Sequence, residues 1–262
     1  MRDSLTVSLI QTATRWHDPA ANRDLFDDWF TKLPVDSELV MLPEMFSTGF
    51  TMSSREVAEV MDGPTMRWLR ERARELDRVL CGSLVIRAGA QYFNRFCWAT
   101  PDGELCHYDK RHRFRMAGEH EHYDAGNTRV VFELDGWRVC PMVCYDLRFP
   151  VWLRNRGDYD LLVCVANWPA ARKTAWNALL RARAIENQAY VAAVNIIGED
   201  GNGVAYSGGS AVYGPEGETL VPPTEDAGVF SQRLDRAALD SYRAAFPAWQ
   251  DADSFSIGSG DK

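Results

Sequence analysis

The sequence predicts one α/β domain, and three observations carry that prediction. Short apolar runs bounded by Gly, Pro, Asn and Asp recur from Ser4 to Gln232. Stretches with apolar residues at helical spacing lie between them. No Pro/Ser-rich linker interrupts the alternation, so residues 1–255 read as one unit and 256–262, small and polar, as a disordered or appended tail. With 262 residues, 46% hydrophobic and 25% charged, the chain can bury one large core.

The elements follow in order. Ser4 to Ile10 alternates and then turns apolar, as a first strand should. Pro19 to Leu33 carries Leu25, Phe26, Trp29, Phe30 and Leu33 on one helical face. Residues 38–42 form a short buried strand that runs straight into Pro43-Glu44. The turn Met61-Asp62-Gly63-Pro64 opens a charged helix over 65–76. Strands over 79–87 and 92–100 join at Ala88-Gly89-Ala90, and the turn Pro101-Asp102-Gly103-Glu104 leads to a strand over 105–108.

Strands over 128–133 and 137–143 pair across Asp135-Gly136. The second ends at Cys144, and a helix with Pro150 in its first turn follows. Residues 160–166 and 190–197 read as buried strands flanking the most strongly helical stretch, 173–188. Gly198 to Gly203 reads as a loop, lacking the lysine and the strand–helix context of a phosphate-binding motif. A last strand covers 228–232, before a short helix.

Bulk properties exclude several classes of function. The net charge is −8, from 29 basic and 37 acidic residues, and no basic stripe with interleaved aromatics is present, which argues against nucleic-acid binding. No apolar run is long enough to span a bilayer, and Met1 to Gln11 lacks the apolar core of a signal peptide. The six cysteines (81, 97, 106, 140, 144 and 164) mostly sit inside apolar runs and read as free thiols of a cytoplasmic protein. Cys140 and Cys144 are too far apart for a CxxC redox pair. His120-Glu121-His122 lacks the helical spacing or cysteine pairs of a zinc site, so no metal is expected.

Three strand ends carry candidate chemistry. Cys144 sits at a strand-to-helix turn, where exposed N–H groups lower a thiol pKa and can receive an oxyanion. Glu44 follows the buried strand 38–42, a position suited to a general base. Lys110, in Tyr108-Asp109-Lys110, can act as a fixed cation beside a developing oxyanion. Glu119, in Gly118-Glu119-His120, is a second candidate carboxylate. Each residue taken alone also fits a solvated loop or a structural core position.

The order Glu44, Lys110, Cys144 resembles the Glu-Lys-Cys triad of the nitrilase superfamily of carbon–nitrogen hydrolases. Asn167-Trp168-Pro169, the run Arg181 to Gln188 and Ser207-Gly208-Gly209-Ser210 are similar to further landmarks of that family, and the resemblance spans Leu5 to about Gln232. It implies a four-layer α-β-β-α sandwich, usually assembled as a homodimer or higher homo-oligomer, with no cofactor. Carried over by position, it implies Cys144 as nucleophile, Glu44 as general base and Lys110 as oxyanion donor. The Tyr145 N–H would be the second oxyanion donor and Glu119 an auxiliary acid.

The motifs Cys144 to Pro150, Arg111 to Met116 and Ala205 to Ser210 are most similar to the omega-amidase branch, which deamidates monoamides of dicarboxylic acids such as 2-oxoglutaramate and 2-oxosuccinamate. A carboxylated small-molecule amide calls for a guanidinium in the pocket. Arg172 is the first candidate and Arg148 the second; alternatively Arg148 pairs internally and Arg172 lies on the rim. Phe46 and Trp168 are candidate apolar walls. One departure stands out: many family members carry leucine after the histidine of the lysine motif, whereas His112 is followed by Arg113-Phe114-Arg115. Nitriles and carbamoyl amides share the same triad chemistry, and a catalytically silent interaction module would lack a triad member.

Overall fold

A computed structural model describes residues 2–258. The first half of the chain runs β1 (Ser4–Gln11), α1 (Pro19–Phe30), β2 (Leu39–Met41), α2 (Ser54–Val57), α3 (Pro64–Leu76), β3 (Val79–Ala88), β4 (Gln91–Ala99), β5 (Leu105–Asp109) and a short α4 (Glu119–His122). The second half runs β6 (Phe132–Leu134), β7 (Trp137–Val143), α5 (Pro150–Leu153), β8 (Leu161–Val165), α6 (Lys173–Asn187) and β9 (Tyr190–Val194). It closes with β10 (Ile197–Glu199), β11 (Ala205–Ser207), β12 (Ala211–Tyr213), β13 (Thr219–Val221), β14 (Gly228–Asp235) and α7 (Arg236–Ala245).

Two six-stranded sheets result, in the orders β14-β1-β2-β3-β4-β5 and β13-β12-β9-β8-β7-β6. Their centres are parallel (β1, β2 and β3 in one; β7, β8 and β9 in the other) and their flanks antiparallel. Side chains alternate across a strand, so each inner strand feeds two layers. Leu5, Val7 and Leu9 of β1, Leu39 and Met41 of β2, and Val79 and Cys81 of β3 join the core shared with Val139, Leu161 and Tyr190 of the other sheet. The alternate residues Ile10, Val40, Leu80 and Leu84 face outward onto Phe26 and Phe30 of α1 and Met66, Trp68 and Leu69 of α3. On the far side Trp176, Leu180 and Ala184 of α6 cover the second sheet. The layers therefore read helix, sheet, sheet, helix: a mixed α/β single domain.

Local signals set the boundaries. Asp18 caps α1 by accepting the Ala21 N–H at 3.0 Å, and Pro19 occupies its first turn. Asp77 and Gln188 end α3 and α6 in the left-handed conformation, at φ 54° and 46°. The helix with proline in its first turn starts at Pro150, and Cys144–Arg148 between it and β7 is a 3-10 turn. Pairing of β6 starts only at Phe132, because Arg129 turns aside to hold Asp158. Of the loop 198–203, Gly198 and Glu199 belong to β10, while 200–203 lie in the loop that joins β10 to β11, with Ile197 opposite Ser207. Residues 252–258 are exposed and lack regular structure, while the rest of the proposed tail lies outside the described residues.

Candidate active site

The parallel strands point their carboxyl ends to one place, where open α/β sheets hold functional groups. Glu44 lies beyond β2, Cys144 directly follows β7, Asn167 lies beyond β8, and Lys110 follows β5. The structure thus brings Glu44, Lys110, Glu119 and Cys144 together at the junction of the two sheets.

Lys110 is the hub. Its Nζ donates to Glu44 Oε1 at 2.9 Å and to both oxygens of Glu119 at 2.9 and 3.0 Å. Glu44 and Glu119 are 0% exposed and Lys110 2%, so the cluster is sealed from bulk water. Burial pulls the Lys110 ammonium down, but Glu119 and Glu44 outweigh it and hold the pKa well above the ordinary lysine value. Burial pushes Glu119 up, Lys110 opposes that, and Glu44 adds to it, leaving the carboxyl raised. The two carboxylates thus favour the charged form of Lys110.

Asn94 of β4 fixes the two carboxylates. It donates to Glu44 Oε1 at 2.7 Å and to Glu119 Oε1 at 3.3 Å, while Ser83 of β3 holds its carbonyl at 2.8 Å. The second Glu44 oxygen accepts the backbone N–H of Asn167 at 2.8 Å. The Phe114 N–H serves Glu119 in the same way.

Cys144 sits on a strained elbow at φ 46°, a conformation that costs a residue with a Cβ. Asp146, fully buried, holds it there. One Asp146 oxygen accepts the Val143 N–H at 3.1 Å and the Tyr108 hydroxyl at 2.8 Å; the other accepts the His112 N–H at 2.9 Å and faces His112 Nδ1 at 2.7 Å. Arg183, 3% exposed on α6, donates twice to the Leu147 carbonyl and pins the other end of the turn.

The turn does not depress the thiol as its position suggests. Burial and the Glu44 carboxylate push Cys144 well above the ordinary thiol value, and Lys110 offsets only part of this. The five-residue 3-10 turn and four-residue helix that follow carry little dipole to set against this. Such a thiol needs a base when it reacts, and Glu44 is the carboxylate beside it.

A cavity of about 400 Å³ opens over Cys144 and Lys110. Phe50, Phe114, Tyr145, Trp168 and Tyr206 form much of its wall, and Arg148 and Arg172 line it as well. Arg148 packs its guanidinium 4.9 Å from the Trp168 ring, and Arg172 lies 5.3 Å from that of Phe114. Neither arginine forms an ion pair with a carboxylate among the described residues, so Arg148 is not internally paired.

Comparison with known proteins places this geometry. The profile of the family described as Carbon-nitrogen hydrolase matches residues 6–244. The chain belongs to the carbon–nitrogen hydrolase family. It is 46% identical over 254 residues to a protein named omega-amidase YafV from Escherichia coli strain K12, covering 97% of this chain and 98% of that one. It is 29% identical over 251 residues to a 2-oxoglutaramate amidase from Bacillus subtilis, covering 94% and 96%. A crystal structure from Xanthomonas campestris, described as a CN-hydrolase superfamily protein with an arsenic adduct in the active site, is 50% identical with a TM-score of 0.96, covering 98% and 100%. This carbon–nitrogen hydrolase is therefore an amidase of the nitrilase superfamily, acting on a small-molecule amide and on C–N bonds other than peptide bonds.

Not every candidate residue of the hydrolase lines its cavity. Trp168, Tyr145, Arg148 and Arg172 do, but Phe46 does not. Met45 adopts φ 42° and turns the chain, sending Phe46 into the outer core against Phe26 at 5.5 Å and Trp68 at 6.0 Å. Gly82 makes room for it, since a Cβ there would meet the ring at 2.8 Å. Phe50 takes the wall position instead, with Lys110 Nζ 5.3 Å from its ring.

Sequence reasoning passed over Asn94, and it gave Asp146 and Asn167 no role. The usable signal was polarity inside apolar runs, since Asn94 sits in a strand whose next five residues are all buried. Among the described residues, no group of three or more His, Cys, Asp or Glu side chains is arranged to hold a metal ion. No helix among them is long and apolar enough to cross a membrane.

Proposed function

We propose that this hydrolase is an omega-amidase, converting the monoamide of a small dicarboxylic acid of the 2-oxoglutaramate or 2-oxosuccinamate type to the diacid and ammonia. One observation carries the substrate class: two arginines without carboxylate partners among the described residues share the cavity with Cys144. The names of the Escherichia coli and Bacillus subtilis relatives support the same reading.

The mechanism follows from the geometry. Glu44 takes the thiol proton as Cys144 Sγ attacks the amide carbon, forming the S–C bond. The resulting oxyanion is held by the Lys110 ammonium and the Tyr145 N–H. Glu44 returns the proton to nitrogen, the C–N bond breaks, and ammonia leaves a thioester on Cys144. Glu44 then removes a proton from water, whose oxygen attacks the thioester; collapse releases the acid and the thiol regains its proton. Glu119 holds Lys110 in place throughout, while Arg172 and Arg148 hold the distant carboxylate, Arg172 being the first candidate.

Ammonia release from 2-oxoglutaramate and succinamate, measured beside propionamide and propionitrile for wild type and Cys144→Ala, tests this. Turnover of the carboxylated amides alone, lost in Cys144→Ala, is expected. Equal turnover of propionamide would overturn the carboxylate-recognition reading, and a preference for propionitrile would make the protein a nitrilase.

A further inference from the structure

We infer that the side-chain oxygen of Asn167 receives an N–H of the scissile amide, so that Asn167 selects amides against esters and aims the departing nitrogen at Glu44. The inference rests on the assignment of Cys144 as nucleophile.

Asn167 lies beyond β8 with 3% of its surface exposed, and it lines the same cavity as Cys144 and Lys110. Its backbone N–H and its side-chain nitrogen are both committed. Its backbone N–H donates to Glu44 Oε2 at 2.8 Å, and its Nδ2 donates to the Glu44 carbonyl at 2.7 Å. A carbonyl can only accept, so this contact fixes which end of the amide is nitrogen and which is oxygen. The remaining atom, Oδ1, is buried and has no hydrogen-bond partner among the described residues. Other buried polar atoms share that condition, including Asn177 Oδ1 and Gln188 Oε1, but neither residue lines this cavity.

A buried acceptor facing a substrate cavity calls for a donor on the substrate. A primary amide brings two N–H groups into a space whose strong groups mostly donate: Lys110, Arg148, Arg172 and backbone N–H. The Glu44 oxygens already accept from Lys110, Asn94 and Asn167. The Asp200 carboxylate, which also lines the cavity, already accepts from the Asn202 and Val204 N–H groups and the Tyr206 hydroxyl. Asn167 Oδ1 has no such donor, and it is covalently joined to the groups that hold Glu44. A substrate N–H bonded there keeps the nitrogen beside the carboxylate that must protonate it. An ester presents an oxygen at that point, lone pair against lone pair, and such mismatched polar groups are rejected strongly.

The deciding experiment pairs a crystal structure with kinetics. In Cys144→Ala soaked with succinamate, the amide nitrogen is expected at hydrogen-bond distance, about 2.7–3.2 Å, from Asn167 Oδ1. An amide nitrogen bonded elsewhere, with Oδ1 clear of the substrate, overturns the inference. In Asn167→Ala, single-turnover acylation by succinamate is expected to fall about 10- to 100-fold, as for loss of one buried hydrogen bond. Hydrolysis of the succinyl thioester, loaded instead from monomethyl succinate, should fall clearly less, by no more than the loss of the Nδ2 bond to the Glu44 carbonyl costs both steps. Equal falls in both steps would mean that Asn167 acts only through Glu44, which also overturns it. Should Asn167→Ala fail to fold, the soaked Cys144→Ala crystal decides alone. Succinamate turnover that survives Cys144→Ala removes the nucleophile assignment and this inference with it.

Discussion

The hydroxyl of Tyr108 donates to the carboxylate of Asp146 at 2.8 Å, across the junction of the two sheets. Tyr108 precedes Lys110 by two residues and Asp146 follows Cys144 by two, so this bond sets the spacing between cation and thiol. Tyr108 also accepts from Trp152 Nε1 at 3.0 Å and from the Arg111 N–H at 3.1 Å. Tyr108→Phe strands two buried donors and half of the Asp146 cradle. It should lower stability by about 1–3 kcal/mol in urea titrations and reduce kcat with little change in KM.

Lys110 is the ion-pair partner of two fully buried carboxylates. Lys110→Met should abolish measurable amide turnover, with a loss of at least about 10²–10³, and destabilise the fold by about 3–5 kcal/mol. Adding Glu119→Gln should recover part of that stability and none of the activity. Thermal unfolding beside ammonia release checks both halves.

The thiol of Cys144 lies well above its ordinary pKa because of burial and Glu44. Labelling of Cys144 by N-ethylmaleimide, followed by peptide mass spectrometry, should therefore keep rising with pH through about 9 rather than level off near neutrality. Glu44→Gln removes the opposing charge, so labelling at a given pH should become faster. Slower labelling would mean that Glu44 assists the resting thiol more than it opposes it.

Asp160 is fully buried, and burial alone would raise it. Bonds from Arg138, the backbone and Arg236 outweigh that and depress its carboxyl below the ordinary aspartate value. A depressed carboxylate contributes stability above its unfolded pKa, about 3.9, and loses that contribution as pH falls through the depressed value. Asp160→Asn should flatten the acid limb of the stability curve below about pH 4. At pH 7 it should cost up to about 3 kcal/mol, the low end for a broken buried pair, because Arg138 keeps contact with water.

Arg172→Gln should raise KM for succinamate by about 10- to 100-fold while leaving any turnover of propionamide unchanged. Arg148→Gln serves as the comparison. If only Arg148→Gln raises KM, the order of the two arginines is reversed.

Much of this was legible in the sequence, for definable reasons. Period-two alternation in 4–10 and the bare apolar run 160–166 marked strands because burial on one face or both leaves that trace. Glu44, Lys110 and Cys144 each follow such a strand, but it was their order along the chain, resembling the family's triad, that singled them out. Phe46 was misread because nothing in Glu44-Met45-Phe46 reveals that Met45 takes positive φ and reverses the next side chain. The thiol shift was misread because its causes, burial and the Glu44 carboxylate, come from tertiary packing, Glu44 lying a hundred residues before Cys144 in the chain. Asn94 was missed because its partners, Glu44 and Glu119, lie 50 and 25 residues away.

Glu44 and Lys110 extend from one sheet, Cys144 and Asn167 from the other. Apart from the β1–β14 pairing, the ladders of each sheet form within one continuous stretch of chain, so they can pair while the candidate site is still in two halves. Recovery of activity during refolding should thus report the docking of the halves, lagging behind the return of secondary structure. By the same logic, two separately expressed fragments divided between β5 and β6 would each be inert and would gain turnover only on reassociation.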